Sequence, residues 1–133
     1  AVAEVDKKNN LSRITIVTSG SPQVIEQIKL QLKKLIPVHK VADFPKGKTL
    51  FRELALLKVI SNEKKRERAK KICKKYNSLI LDKTKKSFVV EVAALRKEID
   101  KLISLLQPLG LASVSRTGVV AMSKGAEVFG EKK

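Results

Sequence analysis

The stretch from Leu11 to Asp43 constrains this chain more than any other, because it holds three element signals in close succession. Ile14, Thr15, Ile16 and Val17 form a β-branched run bounded by Asn9-Asn10 and by Ser19-Gly20-Ser21, the pattern of a strand closed by turns. Ser21 stands where a helix N-cap belongs, with Pro22 at the first helical position, where a missing N–H costs nothing. Val24, Ile25, Ile28, Leu32 and Leu35 then recur at helical spacing, with Gln23, Glu26, Lys29 and Lys33 between them. Pro37 stops this helix, and Val38 to Val41 reads as a second strand. A helix with one apolar face, set between two strands, must lay that face on their sheet. The stretch therefore predicts a two-layer βαβ piece.

The flanking segments extend it. Ala1 to Val5 alternates weakly and predicts a strand leading into a turn over Asp6 to Asn10. Phe44 to Leu50, with Pro45 and Gly47, reads as a linker. Phe51 to Ile60 predicts another strand; Leu54, Leu56 and Val59 do not alternate strictly, the pattern of a strand covered on both faces. Ser61 or Asn62 caps a helix running to about Asn77, with Ala69, Ile72, Cys73 and Tyr76 as its apolar stripe. Leu79 to Leu81 and Phe88 to Val92 flank a turn at Asp82 to Ser87 and predict a hairpin. A third helix carries Leu95, Ile99, Leu102, Ile103 and Leu106 on one face and ends at Pro108 and Gly110. Leu111 to Met122 gives a last strand with a kink at Thr117-Gly118, and Lys124 to Lys133 has no apolar pattern.

Residues 51–122 thus spell β-α-β-β-α-β, a complete ferredoxin-like sandwich. Residues 1–43 spell only β-β-α-β, so the same template requires one more strand and helix ahead of Ala1. The expected fold class is α+β: two ferredoxin-like βαββαβ modules, the first incomplete. The expected divisions are 1–43 for the partial module, 44–50 for a linker, 51–122 for the second module and 123–133 for a loose tail.

Chemistry of the chain's own is hard to find. An enzyme needs a nucleophile with a base, paired acids or a ligand set for a metal. The single histidine, His39, falls in a predicted strand, and the single cysteine, Cys73, falls on an apolar helix stripe, where it reads as a small core residue. Neither has the companions that a zinc site needs. Glu63, Glu67, Glu98 and Asp100 each sit within helical reach of lysines, which predicts solvated ion pairs. The six glycines are scattered and form no phosphate loop. We therefore expect no catalytic residue, cofactor site or metal site on this chain. One cysteine also excludes an internal disulfide and fits a reducing compartment. No stretch approaches the length of a membrane span, so no membrane partner is expected.

Charge is where the composition departs from the ordinary. There are 29 basic residues against 13 acidic ones, a net +16, which favours polyanionic partners. Most of the excess is lysine rather than arginine, which fits solvated faces better than bidentate phosphate contacts. The helix from Glu63 concentrates it, with Lys64, Lys65, Arg66, Arg68, Lys70, Lys71, Lys74 and Lys75. A basic helix on this topology suggests a nucleic-acid-binding module as the rival reading. The predicted strands carry only Phe51 and Phe88, however, so the aromatic platform on which single-strand readers stack bases is missing. Weak, non-specific polyanion binding is the expectation.

Five segments also carry a resemblance. Leu-Ser-Arg-Ile-Thr-Ile at 11–16, Val-Ile-Glu-Gln-Ile-Lys-Leu-Gln-Leu-Lys-Lys-Leu at 24–35 and Val-His-Lys-Val at 38–41 resemble the second half of the ACT domain of acetolactate (acetohydroxyacid) synthase regulatory subunits. Arg-Glu-Leu-Ala-Leu-Leu-Lys-Val at 52–59 and Ser-Arg-Thr-Gly-Val-Val-Ala-Met-Ser-Lys-Gly at 115–125 resemble the same family in the same order, so the likeness covers nearly the whole chain. It implies a non-catalytic, ACT-like subunit, a homodimer pairing sheets edge to edge, in cytoplasm or plastid stroma. Such a subunit raises the activity of a catalytic partner that condenses two pyruvates, or pyruvate with 2-oxobutyrate. Thiamin diphosphate, magnesium and usually FAD belong to that partner. The resemblance also implies feedback inhibition by valine or a related branched-chain amino acid. The effector would lie between two ACT domains, on a glycine turn and an asparagine that fall upstream of Ala1, so no residue here takes those roles and this chain is not expected to bind valine usefully. Ser12, Arg13, Arg116, Thr117 and Gly118 are the candidate partner contacts; their structural alternatives are a strand start and a kink that needs glycine.

Overall fold

A computed structural model describes residues 2–6 by backbone, then 8–35, 38, 40–44 and 47–128. The chain divides into two compact units: Val2–Leu50 with the residues from Ala121 on, and Phe51–Val120.

In the first unit β1 (Val2–Asp6) pairs antiparallel with β2 (Leu11–Ile14), matching Val2 to Ile14, Ala3 to Arg13 and Glu4 to Ser12, with a bulge between Glu4 and Asp6. Asn10 completes the turn at φ 53°, a left-handed conformation that asparagine tolerates. The strand predicted to reach Val17 stops at Ile14, which pairs with Val2. Helix α1 (Pro22–Lys33) forms as expected, with the Ser21 hydroxyl accepting from Val24 N at 3.3 Å. Ile25, Ile28 and Leu32 are half-buried, and no residue of α1 is fully buried. Lys29 is held between Glu26 at 3.1 Å and Asp43 at 3.0 Å.

The strand expected at Val38 to Val41 is corrected: Val38, Lys40 and Val41 have no regular structure. Val38 N donates to Leu35 O at 2.9 Å, which turns the backbone off the helix end instead of extending it. β-branched residues favour strands only where a neighbouring strand offers a ladder. Ile36, Pro37 and His39 lie outside the described residues, as do Pro45 and Lys46 of the expected linker.

The second unit is built on a four-stranded sheet of order β4-β5-β3-β6, from β3 (Thr49–Ile60), β4 (Leu79–Lys83), β5 (Ser87–Ala94) and β6 (Leu111–Ser123). Helix α2 (Glu63–Lys74) joins β3 to β4, and α3 (Arg96–Leu106) joins β5 to β6. This is the ferredoxin-like order, with the first strand central. β5 runs antiparallel to β3 (Glu53 opposite Ala94, Ile60 opposite Ser87) and to β4. The β3–β6 pair is antiparallel as well: Ile60 N donates to Gly110 O, while Leu54 faces Thr117.

Three expectations change here. β3 begins at Thr49, two residues inside the expected linker, and at that end Lys124 N donates to Lys48 O at 2.9 Å, which ties the start of the expected tail. β3 also alternates strictly. Ala55, Leu57 and Val59 are wholly buried, while Leu56 and Ile60 are exposed, so this strand is covered on one face within its unit. Asn62, rather than Ser61, caps α2, its Oδ1 accepting from Lys65 N at 2.9 Å.

The core lies between the sheet and its helices: Ala55, Leu57 and Val59 of β3, Phe88, Val90 and Val92 of β5, Ala69 and Cys73 of α2, and Ile99, Leu102 and Leu106 of α3. Each fully buried Leu, Ile or Phe contributes roughly 1.5–3 kcal/mol of transfer free energy. Lacking tryptophan, the unit fills its centre with aliphatic side chains around one phenyl ring.

Candidate functional site

Glu53 sits in the inward phase of β3, two residues before Ala55, and is 5% exposed. A carboxylate there needs a charge partner, and Arg116 of β6 supplies it. The Arg116 Nε donates to Glu53 Oε1 at 3.0 Å, Nη2 donates to the same oxygen, and Nη1 donates to Asp100 Oδ1 of α3 at 2.6 Å. One guanidinium thus ties β3, β6 and α3 together. The hydrogen bonds to Glu53 raise the Arg116 pKa above its ordinary value, part burial works against them, and Asp100 adds to them.

Thr117 and Gly118 follow. The Thr117 hydroxyl accepts from Leu54 N at 3.2 Å, and its proton is within reach of Leu54 O at 3.3 Å and Gly118 O at 2.8 Å. Gly118 takes φ 85°, the left-handed region where a side chain is strained, and the strand continues through it. The anticipated kink is therefore a single left-handed residue within a continuous β6. Arg116 and Thr117 both spend their polar atoms on the fold of this unit. Ser12 and Arg13 lie in β2 of the other unit; Ser12 is exposed and Arg13 half-buried.

The surface of α2 is the other concentrated feature. Ala69 and Cys73 are buried and Ile72 and Tyr76 half-buried, so the apolar stripe is used by the core. Arg66 donates to Ser61 O, and Lys70 pairs with Glu67 at 3.2 Å while lying 5.8 Å from the centre of the Phe88 ring. Lys64, Arg68, Lys71 and Lys75 are exposed. Phe88 is fully buried and Phe51 half-buried, so neither offers a free ring for base stacking. Burial pushes the Cys73 thiol up to about 11, which keeps it protonated and unreactive at neutral pH. Among the described residues no group of three or more His, Cys, Asp or Glu side chains could hold a metal, and no helix is long and apolar enough to cross a membrane.

Sequence reasoning missed Glu53. The signal was present in its phase with Ala55, Leu57 and Val59, and in the complementary Arg116 on the last strand of the βαββαβ motif, which lies beside the first in the sheet.

Comparison with known proteins places these features in a family. The family model described as the small subunit of acetolactate synthase matches residues 52–125. The acetolactate synthase small subunit of Mycolicibacterium smegmatis is 31% identical over 100% of this chain and 78% of its own length. That of Bacillus subtilis is 36% identical over 88% of this chain and 69% of its own. A crystal structure of the small subunit from Thermotoga maritima superposes with a TM-score of 0.82 at 31% identity, covering 95% of this chain and 78% of that one.

Proposed function

Because the chain belongs to the acetolactate synthase small-subunit family, we propose that it is a non-catalytic regulatory subunit that holds a catalytic acetolactate synthase chain in a more active state. The family match over residues 52–125 carries this reading. A subunit without reacting groups of its own acts on rate only by binding two states of its partner with different affinity. The partner then performs the condensation, with its thiamin diphosphate, magnesium and FAD.

The finer parts of the reading follow the family. The subunit works as a homodimer in the cytoplasm and passes on feedback inhibition by a branched-chain amino acid such as valine. Ser12, exposed on β2, and Arg13 beside it are the residues we assign to partner contact; Arg116 and Thr117 engage polar atoms within their own unit. Thr117 and Gly118 shape the strand that presents neighbouring side chains.

The test is reconstitution. Adding this chain to its purified cognate catalytic subunit should raise the rate of acetolactate formation, and Ser12→Asp with Arg13→Glu should weaken that response. A complex that forms with no change in rate overturns the regulatory reading. Millimolar valine, leucine or isoleucine in a thermal melt reads the effector separately: a ligand at a hundredfold excess over its Kd stabilises the folded state by about 2.7 kcal/mol.

A further inference from the structure

Four of the eight basic residues of α2 and its C-cap fall in one line, while Lys65, Arg66, Lys70 and Lys74 lie on the flanking faces. Lys64, Arg68, Lys71 and Lys75 are spaced four, three and four apart, which puts them in one line along the side turned away from Ala69 and Cys73. Neighbours in such a row are about 5–6 Å apart at Cβ. With a rise of about 1.5 Å per residue the row is about 16 Å long. All four are exposed, and among the described residues none of the four side chains has a hydrogen-bond or ion-pair partner. The acids of the helix flank the row on one side: Glu67, a turn from Lys71, is paired with Lys70 at 3.2 Å, and Glu63 lies in the first turn beside Lys64. Just ahead of the helix, Ser61 N donates to Lys86 O at 3.2 Å, which ties the hairpin carrying the exposed Lys85 and Lys86 to the residue before the Asn62 cap.

We propose that this row, extended by the hairpin lysines, docks the phosphodiester backbone of a nucleic-acid strand without reading its sequence. Two observations favour that occupant over an acidic protein, and a third explains why no sequence is read. Protein interfaces are depleted of lysine and centred on apolar or aromatic anchors, whereas the apolar side chains of α2 are committed to the core. The row is a line of single charges at regular intervals, the complement of a polymer with one charge per repeat. Base readout has nothing to work with, because Phe88 is wholly buried and no aromatic stands in the row.

The experiment is a titration of a fluorescent twenty-nucleotide oligo-dT with the full 133-residue chain at 50 and 200 mM salt. Each phosphate contact to a single strand contributes a slope of about −0.7 in log affinity against log salt. Four contacts therefore predict a slope of about −2.8 or steeper, a loss of roughly 50-fold across that range. Lys64→Gln, Arg68→Gln, Lys71→Gln and Lys75→Gln together should weaken binding and flatten the slope by about 2.8. A control with Lys33, Lys34, Lys97 and Lys101 changed to glutamine has the same net charge and should keep the wild-type slope. All eight residues are exposed, and a melt of each variant confirms folding. Equal loss in both variants would show that affinity follows net charge alone and would overturn the proposal. So would displacement of the oligonucleotide by poly-glutamate at equal charge concentration, which would assign the row to an acidic protein.

Discussion

Arg116 holds Glu53 in an inward position of the sheet, with two of its nitrogens on a single carboxylate oxygen. The exposures of the two acids it touches differ: Glu53 is 5% exposed, while the Asp100 side chain is 56% exposed. Removing the guanidinium strands a buried carboxylate, and that is the expensive half of such a pair. Arg116→Met should cost about 3 kcal/mol in urea denaturation, toward the low end for a buried pair because Arg116 keeps part of its hydration. Asp100→Asn should cost under about 1 kcal/mol. Arg116→Met combined with Glu53→Leu should recover most of the loss. If the double variant is as unstable as the single one, the cost lies in arginine's packing and not in the stranded charge.

Gly110 makes a sharper demand. It ends the 3₁₀ turn Gln107–Leu109 at φ 97°, and its carbonyl accepts from Ile60 N at 2.9 Å. A Cβ added there would stand 2.7 Å from Ser61 Cβ and closer still to Ile60 O, a backbone atom that cannot yield without opening the β3–β6 pair. Gly110→Ala should therefore cost more than the roughly 1–2 kcal/mol of a left-handed residue alone. Gly125 has φ 72° with nothing within 4 Å of an added Cβ, so Gly125→Ala should show only the conformational cost. Thermal melts of the two variants should separate strain from collision.

Much of this fold was legible because much of it is local. The three helices were found from their apolar spacing, and Ser21 from its place before Pro22, since helix hydrogen bonds and caps involve residues a few positions apart. The failures concern strands, where pairing is non-local. Val38 to Val41 has strand composition, yet a turn from Leu35 O to Val38 N takes its backbone elsewhere. In β3, leucines occupy both phases, and composition alone did not say that Ala55, Leu57 and Val59 face inward; pairing with Phe88, Val90 and Val92 decides it. The same phase buries Glu53, so the residue that gives Arg116 its role was hidden by the same ambiguity.

Ser61 and Asn62 were equal candidates for the cap of α2, and the structure separates them. Asn62 Oδ1 takes the Lys65 N–H, while Ser61 Oγ is buried with no hydrogen-bond partner. Asn62→Ala should cost about 1 kcal/mol. Ser61→Ala removes an unsatisfied hydroxyl and should be neutral or slightly stabilising. Chemical denaturation should show opposite signs, or at least a clear gap, for two adjacent and similar substitutions. Equal losses would mean that the serine hydroxyl has a partner in solution.

Cys73 gives the chain a pH dependence with a definite sign. Its thiol is 1% exposed, and burial pushes its pKa up from about 9 to about 11. Between those values the unfolded chain releases a proton that the folded chain keeps. Stability must then fall as pH rises through this window, because the folded state binds more protons there. Lysines titrate in the same range, so the effect is read as a difference between two proteins. The stability of the wild type minus that of Cys73→Ala should shrink by about 2 kcal/mol from pH 8 to pH 11. Urea unfolding of both at half-unit steps measures it. A disulfide reagent should label the wild type at neutral pH only at the rate of unfolding. A difference that stays constant with pH would mean that the thiol ionises alike in both states, and that water reaches it inside the core.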